Sequence, residues 1–201
     1  MAHDRPMTPA PTTITRPMLR VLRRGPAQSR PAYVGGMRPE TPDVPGPGQE
    51  SVWDYPRPPR IETSSETIEV RLGGTVVART QAPLRLLETS HPPAYYLPLD
   101  SFEDGVLRPV AGTSFCEWKG VATYFDLVTP TATASRAVWT YPEPTRGFEA
   151  IRDHVSVMPG LVDSCLVDGE VVRVQEGGFY GGWITDRVVG PFKGGRGSQG
   201  W

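Results

Sequence analysis

Glycine and proline fill 22 and 23 of the 201 positions, about a fifth of the chain against an average of about 12%. Such punctuation excludes a helix bundle, a coiled coil or any fold built on long helices. What it permits is a succession of short strands joined by tight turns. Apolar runs are correspondingly short, and none approaches the ~18 residues of a membrane-spanning helix. A formal net charge of -1 lacks the basic excess that phosphate neutralisation requires, so nucleic acid is not an expected partner.

The prolines are unevenly spread. Residues 1–59 hold 13 of the 23, with seven arginines against four acids in the first 50 positions. That composition reads as a Pro/Arg-rich disordered tail containing an Arg-rich stretch at 16–24. Either the tail is a solvated extension or its Arg-rich stretch is a docking peptide or nucleic-acid arm. It has no apolar core of a secretory signal, and the two cysteines, Cys116 and Cys165, suit a reducing cytosol. A cytoplasmic protein is therefore the expectation.

From Arg60 the pattern changes to strands. Residues 67–72 and 75–80 alternate around Gly73-Gly74, and Ser164–Val174 folds back at Asp168-Gly169; both are hairpin signatures. Further candidate strands cover 84–88, 94–97, 106–110, 116–128, 137–141 and 154–158, and a helix of about two turns fits Thr145–Asp153 behind a Thr145 cap. The expected fold is mainly β, two packed antiparallel sheets forming a sandwich or rolled barrel with one short helix. The β-domain spans 60–176. Residues 177–201, with nine glycines among Phe179, Tyr180, Trp183, Phe192 and Trp201, read as an extension docked on it, loose from Gly194 to Gly200.

Several stretches, taken in order, carry a resemblance: Gly74-Thr75-Val76-Val77-Ala78, Leu87-Glu88, Tyr95-Tyr96-Leu97-Pro98, Cys116-Glu117-Trp118-Lys119-Gly120, Tyr124 and Trp139-Thr140-Tyr141-Pro142-Glu143-Pro144. Over residues 69–157 the chain resembles the bacterial family known as domain of unknown function 427, also carried under a nucleotidyltransferase-like name. The resemblance implies a β-tent-like pair of antiparallel sheets. Its name implies nucleotidyl transfer, yet the chain has neither a Gly-Ser turn followed by an Asp-x-Asp pair nor a phosphate-binding Gly-rich loop with its Lys-Ser/Thr.

The chemistry-bearing residues are few. Cys116, Cys165, His91 and His154 are scattered without a C-x-x-C, so no metal or other cofactor is expected. Read as one unbroken strand, 114–124 puts Cys116, Trp118, Ala122 and Tyr124 on one face and Lys119 on the other. The thiol then reads as core, and covalent chemistry at Cys116 is disfavoured unless Gly120 marks a bulge. Lys119 is one of two lysines against 19 arginines and stands inside an aromatic stretch. Glu88 ends a hydrophobic strand. Trp139 and Tyr141 share parity, and the adjacent Tyr95 and Tyr96 must diverge, leaving one to face a cavity.

The leading expectation is a small polar or nucleotide-like ligand held between the sheets. Lys119 and Glu88 would anchor it, and Tyr95 or Tyr96, Tyr124, Trp139 and Tyr141 would wall it. An enzyme at the same site, with His154 or Glu88 as acid/base and Lys119 stabilising an anion, uses the same residues. The third expectation is an interaction protein acting through the tail. Oligomeric state is not encoded in any pattern found.

Overall fold

The computed structural model describes residues 41–201. The Arg-rich stretch at 16–24 lies outside them, as does most of the segment read as tail. Fifteen strands appear along the described chain: β1 (Glu50–Ser51), β2 (Arg60–Thr63), β3 (Ile68–Leu72), β4 (Thr75–Thr80), β5 (Leu84–Leu87), β6 (Ala94–Pro98), β7 (Leu107–Cys116) and β8 (Gly120–Val128) in the first part. They continue as β9 (Thr133–Thr140), β10 (His154–Val157), β11 (Ser164–Val167), β12 (Glu170–Val171), β13 (Arg173–Val174), β14 (Trp183–Ile184) and β15 (Val188–Val189).

Two antiparallel sheets dominate. The larger has seven strands in the order β2-β5-β6-β10-β9-β8-β7, the smaller four in the order β12-β11-β3-β4, and neither closes into a barrel. Both hairpins of the smaller sheet turn where their sequences require it. Gly73 and Gly74 have φ of 62° and 76°, and Asp168 and Gly169 have 49° and 85°. These are the paired positive dihedrals of a two-residue hairpin loop, open to glycine and tolerated by aspartate.

The sheets face one another across an apolar layer. Ile68, Val70, Val77, Cys165 and Val167 of the smaller sheet meet Tyr95, Leu97, Val138, Val155 and Val157 of the larger. Strand alternation sends the neighbours of that second set, Tyr96, Trp139 and Ser156, to the opposite face. There a second cluster forms, with Leu84, Leu86, Tyr96, Ala122, Tyr141, Phe148 and Ile151.

Three local expectations are corrected. The helix over 145–153 is a 3-10 turn at Glu149–Ile151; Phe148 and Ile151 bury as its spacing predicts, but one turn suffices to do so. The stretch 114–124 is not one strand: β7 ends at Cys116, three residues turn, and β8 begins at Gly120. Finally, residues 50–55 fall within the segment read as tail, yet β1 pairs in parallel with β15. Val52, Trp53 and Tyr55 are buried against Leu87 and Val188, because three large apolar side chains outweigh the neighbouring prolines.

The C-terminal extension is fixed by specific bonds. Trp183 is fully buried beside Tyr95, its indole N–H donating to the Val157 carbonyl at 3.0 Å. The Gln175 side chain accepts from the Gly182 N–H at 3.0 Å and donates to the Lys193 carbonyl at 2.7 Å. In the stretch expected to be loose, the Gly194 N–H donates to the buried Ser198 hydroxyl at 2.8 Å.

Candidate functional site

A cavity of about 550 Å³ opens on the outer face of the larger sheet. It is not between the sheets, as the sequence suggested, because the inner faces are filled by the aliphatic layer described above. Its floor follows directly from strand register. Tyr96 of β6 lies opposite Ser156 of β10, Ser156 opposite Trp139 of β9, and Trp139 opposite Tyr124 of β8. Directly opposed residues project to the same side, so one row of pairings sets Tyr96, Trp139 and Tyr124 on the cavity face. Tyr141 continues the alternation beyond β9, with its ring centroid 6.5 Å from that of Tyr96.

Tyr95 therefore leaves the site. It points between the sheets, where its hydroxyl donates to Glu66 Oε2 at 2.9 Å and its ring packs on Trp183. Glu66 also accepts from Ser64 and Arg187, so this buried polar group is fully engaged. His154 is likewise absent from the cavity lining. It sits at the start of β10 opposite Pro98, with burial holding its pKa below the ordinary histidine value.

Lys119 enters from the loop joining β7 and β8. Cys116 pairs with Gly120 across three intervening residues, and Gly120 takes φ of 94°, the positive dihedral such a loop needs at its exit. Thr145 holds this loop: its N–H donates to the Lys119 carbonyl at 3.2 Å and its hydroxyl to the Trp118 carbonyl. The residue predicted to cap a helix thus anchors the lysine loop instead.

The lysine side chain is turned inward, with only 9% of the residue exposed. Nζ lies 5.5 Å from the centre of the Tyr141 ring, a cation–π contact. Among the described residues it has no carboxylate within ion-pair distance, and Cys116 lines the same cavity wall. Burial disfavours its charge, but the Tyr96 phenol, the Cys116 thiol and the Glu88 carboxylate together outweigh that and raise its pKa. Lys119 is therefore an ammonium at neutral pH. Tyr96 and Tyr141, pushed upward chiefly by burial, remain neutral phenols.

The turn geometry overturns the parity argument against Cys116. With the chain reversing at 117–119, Cys116 and Lys119 both reach the wall of the cavity, which Tyr141 also lines. Cys165 is the core thiol, 1% exposed and raised to a pKa beyond the physiological range by burial alone.

At the far rim Glu88 lines the cavity as expected, but its carboxylate pairs with Arg57 Nη2 at 3.2 Å. Beside it His91 donates from Nδ1 to the Thr89 carbonyl at 2.9 Å and meets Tyr180 edge-on at 5.0 Å. A carbonyl only accepts, so this bond fixes the proton on Nδ1 and leaves Nε2 as the acceptor of the neutral ring.

The remaining wall comes from the extension. An ideal Cβ on Gly181 would sit 2.2 Å from Cη2 of Trp139, so only glycine lets this backbone close over the ring. Lys193 faces Tyr180 at 5.9 Å and donates from Nζ to the main-chain oxygen of Trp201. Sequence reasoning missed Arg57, Tyr180 and Lys193, which lie outside the strand-patterned segment, and also missed Trp118. No three His, Cys, Asp or Glu side chains converge as for a metal ion among the described residues.

No curated protein matches the chain. A family model described as a domain of unknown function, DUF427, matches residues 60–168. That span is more than half of the chain and contains the Lys119 loop and the aromatic floor, but neither Arg57 nor the extension. On this match the chain belongs to the DUF427 family.

Proposed function

We propose that the outer-face cavity binds a small anionic molecule with a planar ring, nucleotides being one such class. The anion meets Lys119 and the ring lies against Trp139 and Tyr96. One observation carries this reading: an ammonium nine-tenths buried, without a carboxylate partner among the described residues, at the edge of a cavity. A desolvated charge is costly unless paired, and an anionic ligand supplies the pair. The Trp118 indole N–H, buried on the wall of the same cavity without an acceptor among the described residues, is a second donor for such a ligand.

Nucleotidyl transfer, the activity in the family's other name, draws on carboxylates that hold a divalent cation. Glu88 is engaged by Arg57 instead, which favours binding over transfer. The cytoplasmic setting and the role of the tail stay part of this proposal.

The test is calorimetric titration with benzoate, adenosine 5′-monophosphate and uncharged benzamide. Charge-assisted hydrogen bonds of about 1.5–3 kcal/mol predict at least tenfold weaker binding of the anions to Lys119→Met. Lys119→Arg retains binding and controls for folding. Equal affinity for benzoate and benzamide, or unchanged anion binding by Lys119→Met, would overturn the reading.

A further inference from the structure

Within the same cavity three groups meet that ligand binding alone does not use: the Cys116 thiol, the Lys119 ammonium and the Tyr141 phenol. We propose that Cys116 is a nucleophile, and that it attacks anionic alkyl or acyl electrophiles which Lys119 draws against it. This inference rests on the reading of Lys119 as the anion anchor.

The geometry supplies each requirement of such a thiol. Cys116 is unpaired, partly exposed and on the cavity wall, whereas Cys165 is sealed in the core. Thiolate, not thiol, is the attacking species. The Lys119 ammonium stands where it stabilises charge forming on sulfur, in a setting little screened by water. Tyr141 keeps its proton and can donate it as a hydrogen bond to the sulfur or to an oxygen of the electrophile. Because the loop ties Cys116 and Lys119 only three residues apart and Thr145 holds that loop, the pair is fixed before a ligand arrives.

The step balances without an oxidant or cofactor. The thiol proton passes to water, the sulfur lone pair forms a carbon–sulfur bond, and the bond from that carbon to its leaving group breaks. The leaving group departs with the bonding electrons. With an alkyl halide the product is a thioether and a halide ion; with an activated acyl group it is a thioester and the displaced anion, which takes up a proton.

Two reagents of nearly equal size separate this arrangement from ordinary thiol reactivity. Iodoacetate carries a carboxylate and iodoacetamide does not; a free thiolate repels the first and reacts faster with the second. The full-length protein is treated with each, and modification of Cys116 and Cys165 is followed by peptide mass spectrometry. Cys116 is expected to react with iodoacetate at least about fivefold faster than with iodoacetamide, through local attraction by the ammonium. Cys165 stays unmodified while the chain is folded. In Lys119→Met the preference inverts, and in Lys119→Arg it persists.

Preference for iodoacetamide in the native chain, or an unchanged ratio in Lys119→Met, overturns the proposal. Cys116→Ser removes the labelling, and benzoate titration of the unlabelled native chain and of Lys119→Met reads the anchor by itself, which separates the two readings. If benzoate binds through Lys119 while Cys116 reacts no faster than glutathione, the nucleophile fails and the anion anchor stands. If benzoate binding also ignores Lys119, both fall.

Discussion

The two faces of the seven-stranded sheet are made by the same strands and by the same alternation, yet they end in opposite states. On the inner face Leu97, Val138, Val155 and Val157 interlock with a second sheet, and the polar Tyr95 and Glu66 satisfy one another. On the outer face Tyr96, Trp139 and Tyr141 border a hollow; among the described residues the Ser156 hydroxyl and the Trp118 indole N–H have no hydrogen-bond partner, and Lys119 has no carboxylate. The difference lies in the cover. A sheet brings a regular array of side chains to fill the space, whereas the extension brings bare backbone at Gly181 and Gly182 and a few irregularly spaced side chains such as Tyr180 and Lys193. Adjacent residues of one strand can thus be scaffold and site in turn.

The comparison breaks most readily through the core. Leu97→Ala, at a fully buried position, is expected to cost about 3 kcal/mol through lost burial and the space left behind. Trp139→Ala deletes a larger side chain but should cost less, since that ring already borders open volume. Urea unfolding of both variants decides the matter; an equal or greater loss for Trp139→Ala would make the outer face a second packed core.

Next in size is the cover itself. Gly181→Val places new atoms where Trp139 already lies, and overpacking of this kind costs about 1–3 kcal/mol when the neighbour cannot yield. The expected outcome is release of the extension, seen as faster proteolytic cleavage near residues 177–182 with the larger sheet still folded. Unchanged cleavage would mean that the extension and ring move apart freely, and the hollow would no longer be a defined volume.

The polar groups give a finer contrast. Tyr95→Phe removes a donor from the buried Glu66 cluster and should cost about 1 kcal/mol. Ser156→Ala removes a buried hydroxyl that has no partner among the described residues, so it should be neutral or stabilising by up to about 1 kcal/mol. Thermal unfolding measures both. A loss at Ser156 equal to that at Tyr95 would show that the outer-face hydroxyl is in use.

How much of this could be read in advance follows from the range of each signal. Gly73-Gly74 and Asp168-Gly169 declared their hairpins because a two-residue turn depends on its own dihedrals. The aromatic floor was legible as parity at Trp139 and Tyr141. Which of Tyr95 and Tyr96 faced the cavity was not, since alternation fixes their opposition but not which side the second sheet covers. Lys119 stood out by rarity, while its loop was misread as strand; the exit residue Gly120 was the available clue. Arg57, Tyr180 and Lys193 gave no local signal at all. They reach the site through long-range docking, as do Val52 and Trp53, whose burial outran the proline-rich composition around them.

The smallest expected effect concerns how pH acts on the docked cover. His91 lines the cavity against Tyr180, and its pKa lies below the ordinary value of 6.5 because burial, helped by Lys193 and Arg57, disfavours the imidazolium more than Glu88 favours it. The unfolded chain therefore binds a proton at a pH where the folded chain does not, and stability must fall as pH drops through 6.5 toward the folded value. Above 6.5 that contribution is complete. His154 is shifted the same way by burial, so the global loss belongs to both rings and each must be removed in turn. Comparing urea midpoints at about pH 7.5 and 5.5, a window that brackets the ordinary histidine pKa, His91→Gln and His154→Gln should each retain part of what the native chain loses. Only His91→Gln should also remove the acid-induced increase in cleavage at 177–182, because His91 packs against Tyr180 of the extension whereas His154 is not on the cavity wall. Were His154→Gln to abolish that increase instead, acid would be loosening the sheet beneath the cavity rather than its cover, and the division between the two faces would have to be drawn elsewhere.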